Sequence, residues 1–459
     1  MLNMEKAFAQ FIVNAKYEDI PKEELDIVAK QLIASFGAAI AGRDSDGCRA
    51  LAEYTKEMGG KEEATILLWG GKVPAAQAAL VNSCMARALD ICDHINPGMH
   101  IGSALIPAAL ACAELIGGCS GREFLTAIAV GTEVALRLNL TDKDTDGFDP
   151  TGVIAMFAPA AACAKLMKLS EEQTLHALAL AYNRCGSSFQ SEVDGALSVR
   201  VMEGLVARAG IECARWAKAG LTGPKNFLNG VYGYYHNFGR DNHSEAELTE
   251  TMQGLGTTWN LHKLSFKKYP SCGHTQGSTE LLLNMMAEHQ IGKDDIDTVE
   301  LILNPFTARL VGKDFEPGDS PKVDAQFNVG YCVANAIVRA PVLLKHFEPE
   351  YIFDPEVLDY LHDHVKTTVE PKLHERGHYS SEMVITLKDG RQWKGSIDIP
   401  PGSPGNELAE EDFRSRYYDC VEFGGAEFMH EKADALFDAL GHVERLADIR
   451  EIIPLFLAD

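Results

Sequence analysis

Two short segments of the chain carry side chains that could transfer protons. The first, residues 88–104 (ALDICDHINPGMHIGSA), places Asp90, Asp93, His94 and His100 within eleven positions. The proline and glycine at positions 97 and 98 predict a bend here instead of a regular helix face. At a bend that follows a helix, side chains can converge on a ligand and backbone N–H groups are free to bind an anion.

The second segment, residues 265–276 (SFKKYPSCGHTQ), places Lys267 two residues before a Tyr-Pro pair. Carboxylate, imidazole and ammonium groups together can remove a proton from a carbon next to a carboxylate. The two segments therefore predict acid–base chemistry on a small carboxylic acid.

Both segments resemble those of the 2-methylcitrate dehydratase and cis-aconitate decarboxylase family (MmgE/PrpD), which also includes iminodisuccinate epimerase. The first is similar to the family's ALDFDD…HPS segment and the second to its K-x-YP-x-C segment. Six further stretches agree with the family in order: 80–90, 129–138, 149–170, 204–224, 327–337 and 400–408. The resemblance implies an enzyme that works without cofactor or metal, and a homodimer.

The resemblance implies catalytic roles for Asp90, His100, Lys267 and Tyr331. Each residue also has a structural interpretation. Asp90 would cap a helix, and His100 would be a surface or buried histidine with satisfied hydrogen bonds. Lys267 would be a solvated lysine, because its neighbour Lys268 competes for the inward position. Tyr331 would be a core tyrosine with a satisfied hydroxyl.

Six further side chains, at or near substrate-binding positions of the family, are predicted to bind substrate: His94, Asp149, Arg200, Cys272, His274 and Gln276. Several of these positions depart from the family pattern. Asp149 and Gln276 stand where the family has histidine, and Cys272 stands where some members have it. Val199, next to Arg200, stands where the family has lysine. Because Asp149 and Val199 make the pocket less positive, they favour a less anionic substrate or one that carries an amine.

Composition and hydrophobic pattern predict the architecture. A chain of 459 residues with 46% hydrophobic and 24% charged residues is typical of a globular protein with two domains. Apolar residues recur at helical spacing to about position 260, whereas 296–305 and 383–399 alternate as strands do, with a hairpin signal at Asp389-Gly390. We therefore predict a mostly α fold: a large all-α domain of residues 1–265 and 400–459, and a smaller inserted α+β domain of residues 266–399. The pocket is expected between these domains.

The charge of the chain restricts its partners. A net charge of −24 without a basic face argues against nucleic acid. A carboxylate substrate therefore needs local positive charge, for which Lys267, Lys268, Arg200 and Arg208 are candidates. No apolar run reaches membrane-spanning length and the N-terminus lacks a signal-peptide core, so we expect a cytoplasmic protein without membrane contact.

Other chemistries find less support in the sequence. It has no Walker A pattern, no G-x-S-x-G elbow and no dinucleotide fingerprint, and Cys92, His94 and His100 match no structural zinc spacing.

Three functions remain open: a dehydratase-like lyase, an epimerase or isomerase that forms the same carbanion from a small dicarboxylate (for example an amino or imino one), and a binding protein without turnover. The Ala-rich segment 102–115 is predicted to pack between the subunits of the homodimer.

Overall fold

The computed structural model describes residues 3–141, 144, 147–194, 196–318 and 320–459. It divides into two compact units. The first comprises Met1–Ala88, Cys92–Leu264 and Cys420–Asp459, and the second comprises Leu89–Ile91 and Ser265–Asp419. The prediction of a mostly α protein with a smaller α+β region is confirmed.

Fourteen α-helices lie wholly within the described part of the first unit. They are α1 (Met4–Asn14), α2 (Lys22–Gly42), α3 (Cys48–Met58), α4 (Ala75–Arg87), α5 (Gly102–Leu115), α6 (Gly121–Arg137), α7 (Pro150–Val153), α8 (Phe157–Leu166), α9 (Glu171–Tyr182), α10 (Gln190–Val193), α11 (Ser198–Lys218), α12 (Tyr234–Asn237), α13 (Glu245–Met252) and α21 (Glu427–Gly441). Strands β1 (Ala64–Thr65) and β2 (Lys72–Val73) pair antiparallel, and β3 (Asp93–His94) precedes the predicted bend.

Helix α2 is a core helix. Its length and its mean hydropathy of 1.4 would allow it to cross a bilayer, contrary to the prediction that no apolar run is long enough. However, 72% of this apolar stretch is buried within the protein. Its last residue, Gly42, lies against α4: a Cβ there would come within 2.0 Å of the Met85 carbonyl oxygen. The absence of a side chain thus lets α2 approach the helix that ends at Arg87.

Helix α5 corrects one prediction. The Ala-rich segment 102–115 was expected to lie between subunits, but every residue from Gly102 to Ala113 is buried within the first unit. Its small side chains allow close packing against α4 and α8 inside a single chain. Residues 102–113 of this segment therefore offer no surface to a second subunit.

The second unit contains a four-stranded sheet in the order β6-β5-β7-β8. Strand β5 (Ile296–Leu303) pairs parallel with β6 (Val365–Val369) and antiparallel with β7 (Ser381–Leu387), and β7 forms a hairpin with β8 (Gln392–Ile397). The predicted turn is present: Gly390 has φ +87° and its N–H donates to Leu387 O at 2.8 Å. Alternate residues of β5 and β7 are buried in one core with apolar residues of two helices, α14 (Gly273–His289) and α17 (Val329–Arg339).

The remaining elements of the second unit extend it beyond the predicted boundary at residue 399. They are β4 (Ser265–Phe266), α15 (Pro305–Val311), α16 (Pro321–Gln326), α18 (Pro349–Ile352), α19 (Pro355–His364) and the start of α20 (Glu410–Gly424). The Phe266 N–H donates to Gly402 O at 2.8 Å, and the ring of Phe266 packs on Phe413 at 5.2 Å. These contacts place residues 400–419 with the second unit and not with the helical domain.

Candidate active site

Lys267 and Asp90 form a buried ion pair in the second unit, which we call the lysine pair. Lys267 follows β4, and its Nζ donates to the Asp90 carboxylate at 2.5 Å and to the Asp90 carbonyl at 2.8 Å. The two residues are only 2% and 5% exposed. Asp90 has φ +55°, a left-handed conformation that Asp tolerates better than most non-glycine residues. The structure thus brings together two predicted catalytic residues that are far apart in sequence.

Of the two adjacent lysines, only Lys267 is buried. Lys268 is half-buried, and its Nζ lies 3.1 Å from Glu280 and 3.6 Å from Asp412. The interpretation of Lys267 as a solvated surface lysine therefore does not fit its surroundings.

The residues on either side of Asp90 are also bound to the second unit. Gln326 Nε2 donates to Leu89 O at 2.9 Å, and the Arg416 guanidinium donates to Ile91 O. Three consecutive residues, 89–91, are thus each held by a different side chain of the second unit. This arrangement fixes the backbone that carries the Asp90 carboxylate.

Gln276 holds the turn that follows Lys267. Its Oε1 accepts from the N–H groups of Lys268 (3.1 Å) and Tyr269 (2.9 Å), and its Nε2 donates to the carbonyls of Tyr269 (2.9 Å) and Ser271 (3.2 Å). These bonds use both lone pairs and both donors of the amide. The structure therefore gives Gln276 a positioning role and leaves it no hydrogen-bonding group for a substrate. Cys272, also predicted to bind substrate, is buried at the N-terminal end of α14, immediately before its first residue.

Tyr331 is a core residue. It is 0% exposed, its hydroxyl donates to His346 O at 2.6 Å, and its ring lies 5.0 Å from Phe315 and 5.8 Å from Phe347. Burial raises the pKa of this phenol above its ordinary value. These contacts favour the structural interpretation of Tyr331. His274 likewise packs in an aromatic group with Phe306, His378 and Tyr379.

Asp93, His94 and His100 form the histidine group of the first unit. His100 Nδ1 lies 2.9 Å from the Asp93 carbonyl oxygen. Cys92 Sγ also lies near this nitrogen, at 3.3 Å, but the carbonyl is closer and only accepts hydrogen bonds. With Nδ1 donating to it, the lone pair of the neutral ring is on Nε2. The Asp93 carboxylate in turn accepts from Gln31 Nε2 at 2.9 Å and from the N–H of Gly102 at 3.1 Å. The geometry therefore sets His100 in the tautomer that a general base requires. The His94 ring lies 6.2 Å away, at a distance where one ligand could contact both.

A carboxyl cluster of Asp149, Glu192 and Glu203 lies in the same unit. Asp149 caps α7, where its Oδ1 accepts from the backbone N–H of Thr151 at 2.8 Å. The Thr151 hydroxyl in turn accepts from the backbone N–H of His100 at 3.1 Å. Burial raises the pKa of Asp149. Burial, and then the charge of Asp149, raise the pKa of Glu192 to about 8. Burial also raises the pKa of Glu203 to about 8, against the opposing effect of Arg87.

Arg87 is a cation beside this cluster, and sequence reasoning missed it. It is buried, and its Nε lies 3.6 Å from Glu203 Oε1. The available signal was its position three residues before Asp90, in a segment that resembles the family. Of the cations that were predicted, Arg200 is buried and donates to Asp46 O at 2.6 Å, and Arg208 pairs with Glu212 at 2.8 Å.

No group of three or more His, Cys, Asp or Glu side chains among the described residues is arranged to hold a metal ion.

The chain is similar to known proteins along most of its length. Residues 6–247 match the MmgE/PrpD N-terminal domain and residues 269–439 match the MmgE/PrpD C-terminal domain. The chain is 22% identical to the cis-aconitate decarboxylase-like protein oryM of Aspergillus oryzae, over 99% of this chain and 97% of that protein. It is 23% identical to the cis-aconitate decarboxylase of Homo sapiens, over 90% of this chain and 86% of the human protein. The two domain matches cover most of the chain in the expected order and support an enzyme of lyase type, and the chain accordingly belongs to the MmgE/PrpD family.

Proposed function

We propose that this protein is a cofactor-independent lyase that removes a proton from the carbon next to a carboxylate of a small acid. The observation that carries the proposal is the hydrogen bond from His100 Nδ1 to the Asp93 carbonyl, because it leaves Nε2 as the proton acceptor. From the family resemblance we propose that Lys267, which the structure pairs with Asp90, is the cation that stabilises the enediolate formed when the proton leaves.

In the dehydratase form of the reaction, the electron pair of the broken C–H bond forms the double bond. The hydroxyl on the neighbouring carbon leaves with a second proton as water. No electron acceptor is needed, because the substrate is neither oxidised nor reduced. This balance is what allows the proposed reaction to proceed without a redox cofactor.

A second candidate is an epimerase or isomerase of an amino or imino dicarboxylate. It shares the first proton transfer, after which the carbanion is reprotonated on the opposite face. The carboxyl cluster favours it, because two buried carboxyl groups and one half-buried carboxyl group outnumber the single cation Arg87 beside them, which does not suit a tricarboxylate. A substrate ammonium or iminium would find acceptors there.

Incubation with hydroxy, unsaturated and amino dicarboxylates and tricarboxylates in D₂O would separate the candidates. Dehydration gives an absorbing alkene, epimerisation gives α-deuteration without alkene, and decarboxylation, the reaction named for the relatives, releases CO₂. If no substrate reacts but some raise the melting temperature, the protein is a binding protein and the proposal is wrong.

The role of His100 is tested by His100→Asn. The Asn amide can still donate to the Asp93 carbonyl but has no base at the Nε2 position, so we expect turnover and α-proton exchange to fall at least about 100-fold with the fold intact. The matched control is His362→Asn on the exposed face of α19, with activity unchanged. Near-normal activity of His100→Asn would refute the assignment of the base.

A further inference from the structure

A cavity of about 750 Å³ in the first unit has an unusual charge for this protein. Five cationic and two anionic side chains line it: Lys16, Arg122, Lys165, Lys168 and Lys218, with Glu18 and Glu123. The chain as a whole carries a net charge of −24. A local excess of positive charge in a concavity concentrates anions, even on an acidic protein. None of the lining residues belongs to the lysine pair, the histidine group or the carboxyl cluster.

Lys165 is the most informative of these cations. Its Nζ donates to Val13 O at 2.8 Å and to Ala15 O at 2.6 Å, and burial lowers its pKa. An ammonium has three donors, so these bonds leave one. In the part of the chain that the structure describes, no carboxylate lies within ion-pair distance of Lys165. Main-chain carbonyls thus hold a partly desolvated positive charge that an anion in the cavity would neutralise.

The surrounding cations are only partly paired. Lys168 lies 3.2 Å from Glu123, and the Arg122 guanidinium packs on the Tyr17 ring at 5.1 Å. Across the described residues, the ammonium groups of Lys16 and Lys218 have no ion-pair partner. The cavity therefore keeps positive charge that its own walls do not neutralise.

We propose that this cavity binds a small metabolite with two or more phosphate or carboxylate groups. Its volume is within the range of small-molecule pockets and exceeds what a single inorganic ion needs. Lysine and arginine side chains spread along its wall suit a ligand with several separated negative groups. Ligand binding here would stabilise the first unit, because it joins the loop after α1 to residues of α6, α8 and α11.

The proposal is tested by calorimetric titration with pyrophosphate and, separately, with citrate. The cavity variant carries both Lys168→Glu and Lys218→Glu. The control variant carries both Lys366→Glu and Lys372→Glu, at two exposed lysines of the second unit, and has the same change in net charge. We expect at least one anion to bind the wild type and the control equally, and the cavity variant at least ten-fold more weakly. A further variant, Lys165→Met, should also lose binding if it folds.

Each outcome has a defined meaning. Loss of pyrophosphate binding alone in the cavity variant identifies a phosphate ligand, and loss of citrate binding identifies a carboxylate ligand. Citrate binding that survives in the cavity variant belongs to another site and does not support the proposal. Equal affinity of all proteins for both anions, or no binding at millimolar concentration, would overturn it. Because the readout is binding and not turnover, this result is independent of the proposed reaction.

Discussion

At the scale of single residues, we expect the largest loss of stability and activity when the Lys267–Asp90 pair is removed. Both side chains are almost fully buried, so a substitution of one leaves the other charge without its partner. In the proposed reaction Lys267 also stabilises the charge that develops in the transition state.

We predict that Lys267→Ala lowers the free energy of unfolding by about 3–5 kcal/mol, because it strands the buried Asp90 carboxylate. Its turnover should fall by more than its substrate affinity. Lys268→Ala is the matched control and should cost no more than about 1 kcal/mol, since its pairs are partly exposed. Urea unfolding and steady-state kinetics measure both effects. Equal stability of the two variants would contradict the description of a buried pair.

Glu203 predicts a pH dependence of stability. Its pKa of about 8 in the folded protein exceeds the ordinary value of 4.5, so the folded state holds a proton that the unfolded chain releases between these values. Stability from this group is therefore present at low pH and is lost as the pH rises through about 8.

We expect Glu203→Gln to remove this dependence, because the amide does not titrate. Urea unfolding between pH 5 and 9 should show the wild type losing stability relative to the variant as pH rises. Glu245→Gln, at an exposed position, should follow the wild type at every pH. A constant difference between wild type and Glu203→Gln across this range would mean that Glu203 titrates normally.

At the scale of elements, one side chain organises the connection from β4 to α14. Gln276→Glu would replace two amide donors with a carboxylate that faces the carbonyls of Tyr269 and Ser271. We predict a loss of about 1–3 kcal/mol in stability, with faster hydrogen exchange in residues 267–272 and lower turnover, because Lys267 shares this backbone. Asn284→Asp, exposed on the same helix, adds the same charge and should change none of these quantities. Unchanged exchange in Gln276→Glu would exclude the positioning role.

At the scale of the whole molecule, we propose that the protein is a homodimer in solution. The support is the family resemblance alone, since α5 is buried within one chain and contributes nothing to it. Light scattering at micromolar concentration should give twice the 50.1 kDa of one chain. A mass of one chain would reject the dimer.

How much of the structure the sequence could predict depends on how far apart along the chain the interacting residues are. Helical periodicity and the Asp389-Gly390 turn are local, and they predicted the elements well. The contact between Asp90 and Lys267 spans 177 positions, so the sequence could nominate both residues but not their pairing.

Burial was the harder quantity to predict. Arg87, Glu192 and Glu203 are single charged residues in helices, which usually indicate a solvated face, and only the fold shows that they are buried or half-buried together. The sequence predicted that Gln276 binds substrate, whereas in the structure its side-chain amide is hydrogen-bonded to neighbouring backbone groups.

The three residues 89–91 also bear on how such enzymes can be recombined. They belong by contact to the second unit, yet they are encoded far from the rest of it, within the chain of the first. A chimaera that takes residues 265–419 from a relative would inherit the lysine but not the tripeptide that Gln326, Lys267 and Arg416 hold. The module to exchange is therefore discontinuous. Exchange of residues 265–419 alone would combine Lys267 from one protein with Asp90 from another.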